Sequence, residues 1–290
     1  MDELCQNIDL EPIWDAVVEV YQEIAKICIR HDLSFYMSDG NALGAARHGG
    51  FIPWDDDFDL TMPRPDYDQF VKYAKEELPS WLKYVNWENT PEFKFYFGKI
   101  QVTDKQKVFD VEKKVGFQLS NGIFVDIFPM DGYPTSVAGK VKLRFEDFCL
   151  NQMIRYKGNH LNETKGVLGK FLWNIGMVLS WIMPKYQKEA DLRYAHERNF
   201  RRFPFDKSKL VGRCCTASSV LCRRPMRKSD WGDAVWVTFY KGEKFPMPSN
   251  PNAVLENEYG DWQTLPPVQE RHPTHEYKER CPWWLGPTKQ

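Results

Sequence analysis

The chain of 290 residues has no surplus of either charge: 39 Lys and Arg stand against 40 Asp and Glu, a formal net charge of -1. It therefore lacks the global basic field with which DNA- and RNA-binding proteins collect phosphates. The expectation is no nucleic-acid partner, although a nucleotide substrate stays open. Cysteines are few, seven in all, at Cys5, Cys28, Cys149, Cys214, Cys215, Cys222 and Cys281. An odd count at scattered positions gives no disulfide framework. Cys214, Cys215 and Cys222 cluster, but no second Cys or His pair stands beside them at zinc-site spacing; the nearest histidine upstream is His196. The opening residues Met-Asp-Glu-Leu-Cys-Gln-Asn hold neither a basic stretch nor an apolar run. No secretory signal is expected there, and a reducing cytoplasmic setting fits best. Internal repeats and low-complexity tracts are missing too.

Long apolar runs are absent but for one, Val167 to Met183, which Lys170 and Asn174 interrupt and Pro184 closes. It is marginal as a membrane span. A buried helix is the first reading, and a helix lying on a membrane the second, with Trp173 and Trp181 on an apolar surface. Arg193, Arg198, Arg201 and Arg202 follow as a basic face, either solvated or near anionic lipid.

What the chain has in quantity is aromatic side chains, 15% of residues with 11 Trp. Such rings serve packing, or line a cleft for a sugar, base or choline group. Its most informative stretch is acidic: Trp54-Asp55-Asp56-Asp57-Phe58-Asp59-Leu60. On an extended strand, residues two apart share a face, so Asp57 and Asp59 project together while Phe58 and Leu60 turn to a core. Two neighbouring carboxylates repel, and a hard divalent cation, Mg²⁺ or Mn²⁺, between them relieves the repulsion. The competing reading is a solvated acidic turn.

Around that run, helical spacing extends from Glu11 to about His31, and Leu33 to Met37 reads as a strand. Ser38-Asp39-Gly40 is a turn and Asn41 to Arg47 a short helix. Met62-Pro63-Arg64-Pro65 stops the acidic strand, and Asp66 is the expected cap of a helix through about Glu77. Tyr84 to Gln101 suggests strands, with Phe93, Phe95 and Phe97 on one face. Val108 to Glu112 is a short strand, and Gly122 to Pro129 a strong one. Its Asp126 sits in an apolar run and needs a buried partner, which a shared metal supplies. Val137 to Phe200 is helical. A hairpin (Val235 to Tyr240, Phe245 to Pro248), a helix from Asn252 to Glu258 and an irregular tail complete the chain.

This order resembles the nucleotidyltransferase superfamily, the DNA-polymerase-β-like fold. Asp39-Gly40-Asn41-Ala42-Leu43-Gly44-Ala45-Ala46-Arg47-His48-Gly49-Gly50-Phe51-Ile52-Pro53-Trp54-Asp55-Asp56-Asp57-Phe58-Asp59 is similar to the signature of the LicD family. That family includes bacterial phosphorylcholine transferases, with fukutin and fukutin-related protein as relatives. Val125-Asp126-Ile127-Phe128-Pro129-Met130-Asp131-Gly132 resembles its second motif. Tyr259-Gly260-Asp261-Trp262 with Leu265-Pro266-Pro267 resembles its C-terminal one. The resemblance implies an α+β fold: a mixed β-sheet core flanked by helices, with a helical insertion and a C-terminal hairpin and helix. The expected divisions are a catalytic core at 1–136, a helical, acceptor- or membrane-facing insertion at 137–234, and a segment at 235–290 returning to the core.

The resemblance also implies a Mg²⁺-dependent transfer of a phospho-alcohol, phosphocholine first, from a CDP-activated donor such as CDP-choline to a glycan hydroxyl, with CMP released. Ribitol phosphate, glycerol phosphate and aminoethylphosphonate are alternative groups. Transfer of a nucleoside monophosphate with release of pyrophosphate is the alternative reaction, and a catalytically silent scaffold the third class. Asp57 and Asp59 hold the metal in this reading; Asp126 completes the site or takes the acceptor proton. Gly40 and Asn41 lie at the phosphates, Asn41 standing where related sequences often carry Ser or Thr. Arg47 and Lys99 are phosphate partners, with a surface ion pair the plainer role for Arg47. His48 orients the loop or moves a proton, or simply packs. Asp55 and Asp56 support the pair, and Asp131 is a substrate-side candidate that also suits a turn cap. Trp54, Tyr259 and Trp262 are candidate walls for a choline headgroup. The glycan is expected to be lipid-linked in some cases, which would bring the protein to the inner face of the cytoplasmic membrane.

Overall fold

The computed structural model describes residues 10–90, 93, 95–103, 111–112, 123–157, 166–186, 188–213, 225–273 and 276–277. The chain forms two compact units, Met1–Met130 with Lys228–Gln290, and Asp131–Arg227.

The first unit is a mixed sheet with helices packed on it, and the fold is α+β, as a nucleotidyltransferase-like core requires. Helix α1 (Glu11–Arg30) buries Ile13, Val17, Val20, Tyr21, Ile24 and Ile27, the one-sided apolar spacing visible in its sequence. Five strands follow in the order β1 (Tyr36–Met37), β2 (Asp59–Pro63), β6 (Phe124–Tyr133), β4 (Gly98–Val102) and β3 (Leu82–Val85). Only the β2–β6 pair is parallel. Between β1 and β2 lies α2 (Asp39–His48), and α3 (Arg64–Glu77) begins directly after β2. Phe58, fully buried, is the hub of an aromatic cluster. Its ring centroid is 5.6 Å from Tyr21 and Phe245, 5.9 Å from Phe51 and 6.2 Å from Phe239. Phe239 and Phe245 come from the hairpin β9 (Val235–Tyr240) and β10 (Glu243–Met247), so this cluster ties the end of the chain to its beginning. Helices α7 (Lys228–Trp231) and α8 (Pro251–Tyr259) flank the hairpin, and β5 (Val111–Glu112) pairs antiparallel with β11 (Glu276–Tyr277).

Several local expectations change. Asp66 does not cap α3, which starts at Arg64 without a side-chain cap; its carboxylate accepts from the Ser34 amide at 3.3 Å. Phe93, Phe95 and Phe97 do gather, with ring centroids 5.1–5.5 Å apart, but in irregular backbone ahead of β4 rather than on a strand. Packing between rings, not a pleat, holds them together. The acidic strand is shorter than expected: β2 starts at Asp59, and Asp57 precedes it. Lys94, Gly122, Cys5, Cys214, Cys215, Cys222 and Cys281 lie outside the described residues; Cys28 and Cys149 are free thiols.

The second unit is mostly helical. Helices α4 (Val137–Lys157), α5 (Gly166–Ile182) and α6 (Glu189–Phe200) accompany a short ladder in which Asp131–Tyr133 pair with β7 (Leu210–Gly212) and β7 with β8 (Met226–Arg227). The expectation of a buried helix at 167–183 fails, since Val167, Phe171, Val178, Trp181 and Ile182 are exposed. Arg193, expected on an exposed basic face, is buried with its guanidinium 2.6 Å from Glu189. Among the described residues, no helix is long and apolar enough to cross a membrane.

Truncating the hub of the aromatic cluster tests how much it contributes. Phe58→Ala is expected to cost about 3–5 kcal/mol. Urea unfolding measures it; a loss under about 1 kcal/mol would mean the hairpin is held elsewhere.

Candidate active site

Three residues form a row across neighbouring strands. Asp59 of β2 is the register partner of Asp126 of β6, and Asp126 is the partner of Lys99 of β4. Register partners on adjacent strands share a face, so all three side chains leave the sheet on one side. The Lys99 ammonium lies 2.8 Å and 3.1 Å from the two Asp126 carboxylate oxygens, and 3.4 Å from the Phe124 ring centroid. Phe58 and Leu60, on either side of Asp59, are fully buried in the core. Alternation along the chain thus points Asp59 away from the core that anchors it.

The N-terminal end of α2 abuts this row. Asn41 is fully buried, and its side-chain amide bridges the acidic segment: Oδ1 accepts from the Asp59 amide at 2.6 Å, and Nδ2 donates to the Asp57 carbonyl at 3.2 Å. The Ser38 amide donates to the Asp59 carbonyl at 3.1 Å. Asn41 therefore positions both acids through their backbone. Gly40 is needed for close approach, because a Cβ there would lie 2.3 Å from Asp55 Oδ2. Asp39 takes a left-handed conformation (φ 49°), which aspartate tolerates better than most residues. Its carboxylate adds a further negative charge to the group.

The electrostatics are those of crowded like charges. Asp59 is pushed well above the usual carboxylate range by burial, then by Asp57, Asp39, Asp126 and Asp55. Asp55 is raised by burial, then by Asp57, Asp56 and Asp39. Its Oδ2 is buried and accepts no hydrogen bond among the described residues. An orphaned buried oxygen within an all-carboxylate donor set suits a hard divalent cation. Among the described residues, no three or more His, Cys, Asp or Glu side chains are arranged so as to hold a metal ion between them.

The remaining candidates but Asp131 gather at the other end of α2. Arg47 is seven residues beyond Gly40, roughly 10 Å along the axis. Its Nη1 donates to the carbonyls of Trp262 (3.0 Å) and Thr264 (3.3 Å), and its Nε lies 3.5 Å from His48 Nδ1. Burial lowers the Arg47 pKa; the Tyr259 hydroxyl opposes this and Arg271 adds to it. His48 is lowered by burial and by Arg47, and its ring meets Trp54 edge-on at 6.0 Å. Trp54 and Trp262 are partly buried against the core, while Tyr259 is exposed. Asp131 belongs to the second unit, buried and paired with Gly212.

Sequence reading missed Arg271. Its guanidinium stacks over Trp54 at 5.5 Å, and its Nε donates to the Pro266 carbonyl at 2.9 Å. No motif marks position 271; only a folded chain brings it beside Arg47. Asp39 and Asp55 were under-weighted for a similar reason, since alternation counts only residues on the strand.

Residues 32–149 match the family model described as LicD/FKTN/FKRP, nucleotidyltransferase domain. The chain is also similar to the lipopolysaccharide cholinephosphotransferase LicD of Haemophilus influenzae. The two are 26% identical over 262 residues, covering 86% of this chain and 89% of that protein.

The raised Asp59 carries a sign that can be measured. A carboxyl whose folded pKa lies above its unfolded value stabilises the fold below the unfolded pKa, about 4, and loses that contribution as pH rises through the folded value. In buffer free of divalent cations, Asp59→Asn is therefore expected to melt above wild type at pH 8. The gain is about 2–4 °C for each kcal/mol of repulsion removed, closing towards pH 4. A variant that melts below wild type at pH 8 would show that repulsion is not the governing term.

Proposed function

We propose that this chain, which belongs to the LicD family, moves a phospho-alcohol group from a CDP-activated donor to a glycan hydroxyl and releases CMP. Phosphocholine is the first choice of group. The observation carrying this reading is the row Asp59–Asp126–Lys99 with Asp55 and Asp57 beside it, set at the N-terminal end of a short helix. Similarity to a cholinephosphotransferase over most of both chains supports the choice of group.

In the reaction, the acceptor oxygen attacks the phosphorus that bears the alcohol. The anhydride bond to CMP breaks, CMP leaves with the bonding electrons, and the acceptor proton passes to a carboxylate. Asp126, in register with Asp59 and oriented by Lys99, is the candidate for that proton. Asp57, Asp59 and Asp126 are the residues that would hold Mg²⁺ or Mn²⁺, which when bound supplies positive charge to the diphosphate oxygens. Lys99 adds a fixed cation on the same face. First-turn amides of α2 and its dipole favour phosphate at that end. Arg47 and Arg271 add two guanidiniums at the other end, whose described partners are backbone carbonyls and rings rather than carboxylates. A nucleotide phosphate or a glycan-linked phosphate would complement them.

Incubation with Mg²⁺ and a panel of CDP-alcohols (choline, ribitol and glycerol), with and without candidate glycans, tests the reaction. CMP release from CDP-choline is the expected outcome. Pyrophosphate from a nucleoside triphosphate, with no CMP from any donor, would transfer the protein to the nucleotidyltransferase reading. Asp57→Asn and Asp59→Asn are each expected to lower kcat about 10²–10³-fold, and unchanged turnover in both would remove the acidic site from the mechanism.

Arg271→Ala is expected to weaken CMP binding about 10–100-fold, the range for a lost charge-assisted hydrogen bond. Calorimetry measures it, and unchanged affinity would leave Arg271 as a brace for the 262–266 loop.

A further inference from the structure

We infer that the second unit docks on an anionic phospholipid surface through an apolar plate formed by α4 and α5. The α5 residues Val167, Phe171, Met177, Val178, Trp181 and Ile182 are all exposed, Phe171 at 59% and Trp181 at 84%. At 100° per residue they fall on one side of the helix, together with Lys170 and Asn174. Helix α5 contains no acidic residue. A parallel stripe runs along α4, where Val137, Val141, Phe145 and Phe148 are exposed at positions i, i+4, i+8 and i+11.

The two helices form one surface because they approach closely. A Cβ on Gly176 would lie 2.1 Å from the Gln152 carbonyl oxygen, so glycine is required there. Trp173 packs on Tyr156 with ring centroids 4.9 Å apart. These two pairings run α5 antiparallel to α4, which sends the end of α5 carrying Trp181 towards the part of α4 carrying Phe145 and Phe148. Gln152 continues the α4 stripe, being seven residues beyond Phe145.

Charge identifies the occupant. Lys140, Lys142 and Arg144 flank the α4 stripe, and Lys170 sits within the α5 one. The two carboxylates of α4 are engaged by α6 and the residue just beyond it: Asp147 pairs with His196, and Glu146 with Arg202. Among the described residues of α4 and α5, the charged side chains beside the apolar stripes are thus cations. Lysine is depleted where proteins meet one another but favoured beside the apolar face of helices that lie on anionic membranes. Helix α5, at 17 residues, is suited to lying in the interface and not to spanning it. Docking gives a lipid-linked acceptor a route to the enzyme. That purpose rests on the proposed transfer, but docking itself is measured without donor or acceptor.

Flotation of the full chain with vesicles of equal parts phosphatidylglycerol and phosphatidylcholine, against phosphatidylcholine alone, is the test. Binding to the mixed vesicles is expected to fall at least about tenfold in Phe171→Glu/Trp181→Glu, as one buried aromatic anchor alone accounts for. It should fall about fivefold for each of Lys142→Gln and Lys170→Gln, with melting temperatures and transfer to a water-soluble acceptor unchanged. Phe171→Ser/Trp181→Ser gives the same reading without added charge. No flotation of the wild-type chain, or equal flotation of the aromatic variants, would overturn the inference. So would a dimer in light scattering without vesicles that these variants dissociate, which would assign the plate to a second copy of the chain.

Discussion

Repulsion among crowded carboxylates, half-buried but for the buried Asp56 and Asp59, is the constraint around which the first unit is arranged. Asp57, Asp39, Asp126 and Asp55 all act on Asp59, Asp57, Asp56 and Asp39 act on Asp55, and Lys99 is in direct contact with Asp126 of the row. Left to itself, such a group would spread into solvent or take up protons. The fold prevents the first by fixing backbone: Asn41 clamps the Asp57 carbonyl and the Asp59 amide, and Phe58 and Leu60 anchor the same segment in the core. Held in place, the carboxylates keep an unfavourable negative potential that only positive charge or protons can relieve. Stability is given up locally to keep the site ready for charge, as functional sites commonly do.

That constraint explains why α2 is short and why its two ends differ. Its N-terminal turn has to pass close beside Asp55, which Gly40 permits. Its C-terminal turn carries Arg47 into contact with the segment after α8, with His48 beside it against Trp54. The helix is therefore a rigid bar of roughly 15 Å between an acidic end and a basic, aromatic end. Trp54 does not offer a bare aromatic face, because Arg271 stacks on it. A choline cage at this end would have to form with Arg271 moved aside, whereas an anion would find the two guanidiniums already in place.

Much of this was legible in the residues, for identifiable reasons. Long amphipathic periods, as in Glu11–Arg30, and turn-bounded apolar runs, as in the 235–247 hairpin, encode their own structure. The apolar run around Asp126 announced a buried carboxylate that needed a partner, and the partner proved to be Lys99 with Asp59 alongside. What stayed hidden depends on long-range contact. Whether Asp66 caps its own helix or binds Ser34 is decided by a residue 32 positions away. The engagement of both ends of the Asn41 amide, and the stacking of Arg271 on Trp54, need the chain to have closed first. Phe93, Phe95 and Phe97 have strand spacing but cluster without a strand, since aromatic packing satisfies them in irregular backbone.

The second unit has an apolar core, with Leu143, Leu150, Met153, Leu192 and Phe200 buried. It also buries polar pairs while apolar side chains of α5 stay outside, and this bears on how α5 is read. Inside it, α4 and α6 are joined by polar groups: His196 with Asp147, and the Asn199 amide with the Leu143 carbonyl at 3.3 Å; Arg193 pairs with Glu189 within α6. His196 is fully buried, and Asp147, Asn199 and Arg193 nearly so. Buried pairs of this kind stabilise little and cost much to break, so they serve to fix one arrangement of helices. Meanwhile Val167, Phe171, Trp181 and Phe145 stand outside, where an ordinary core would have claimed them. A sequence that needed only stability would exchange the two sets. Keeping the polar pairs inside and the aromatic ring faces outside is understandable if the outer surface has its own apolar solvent, and the cations framing it specify which one.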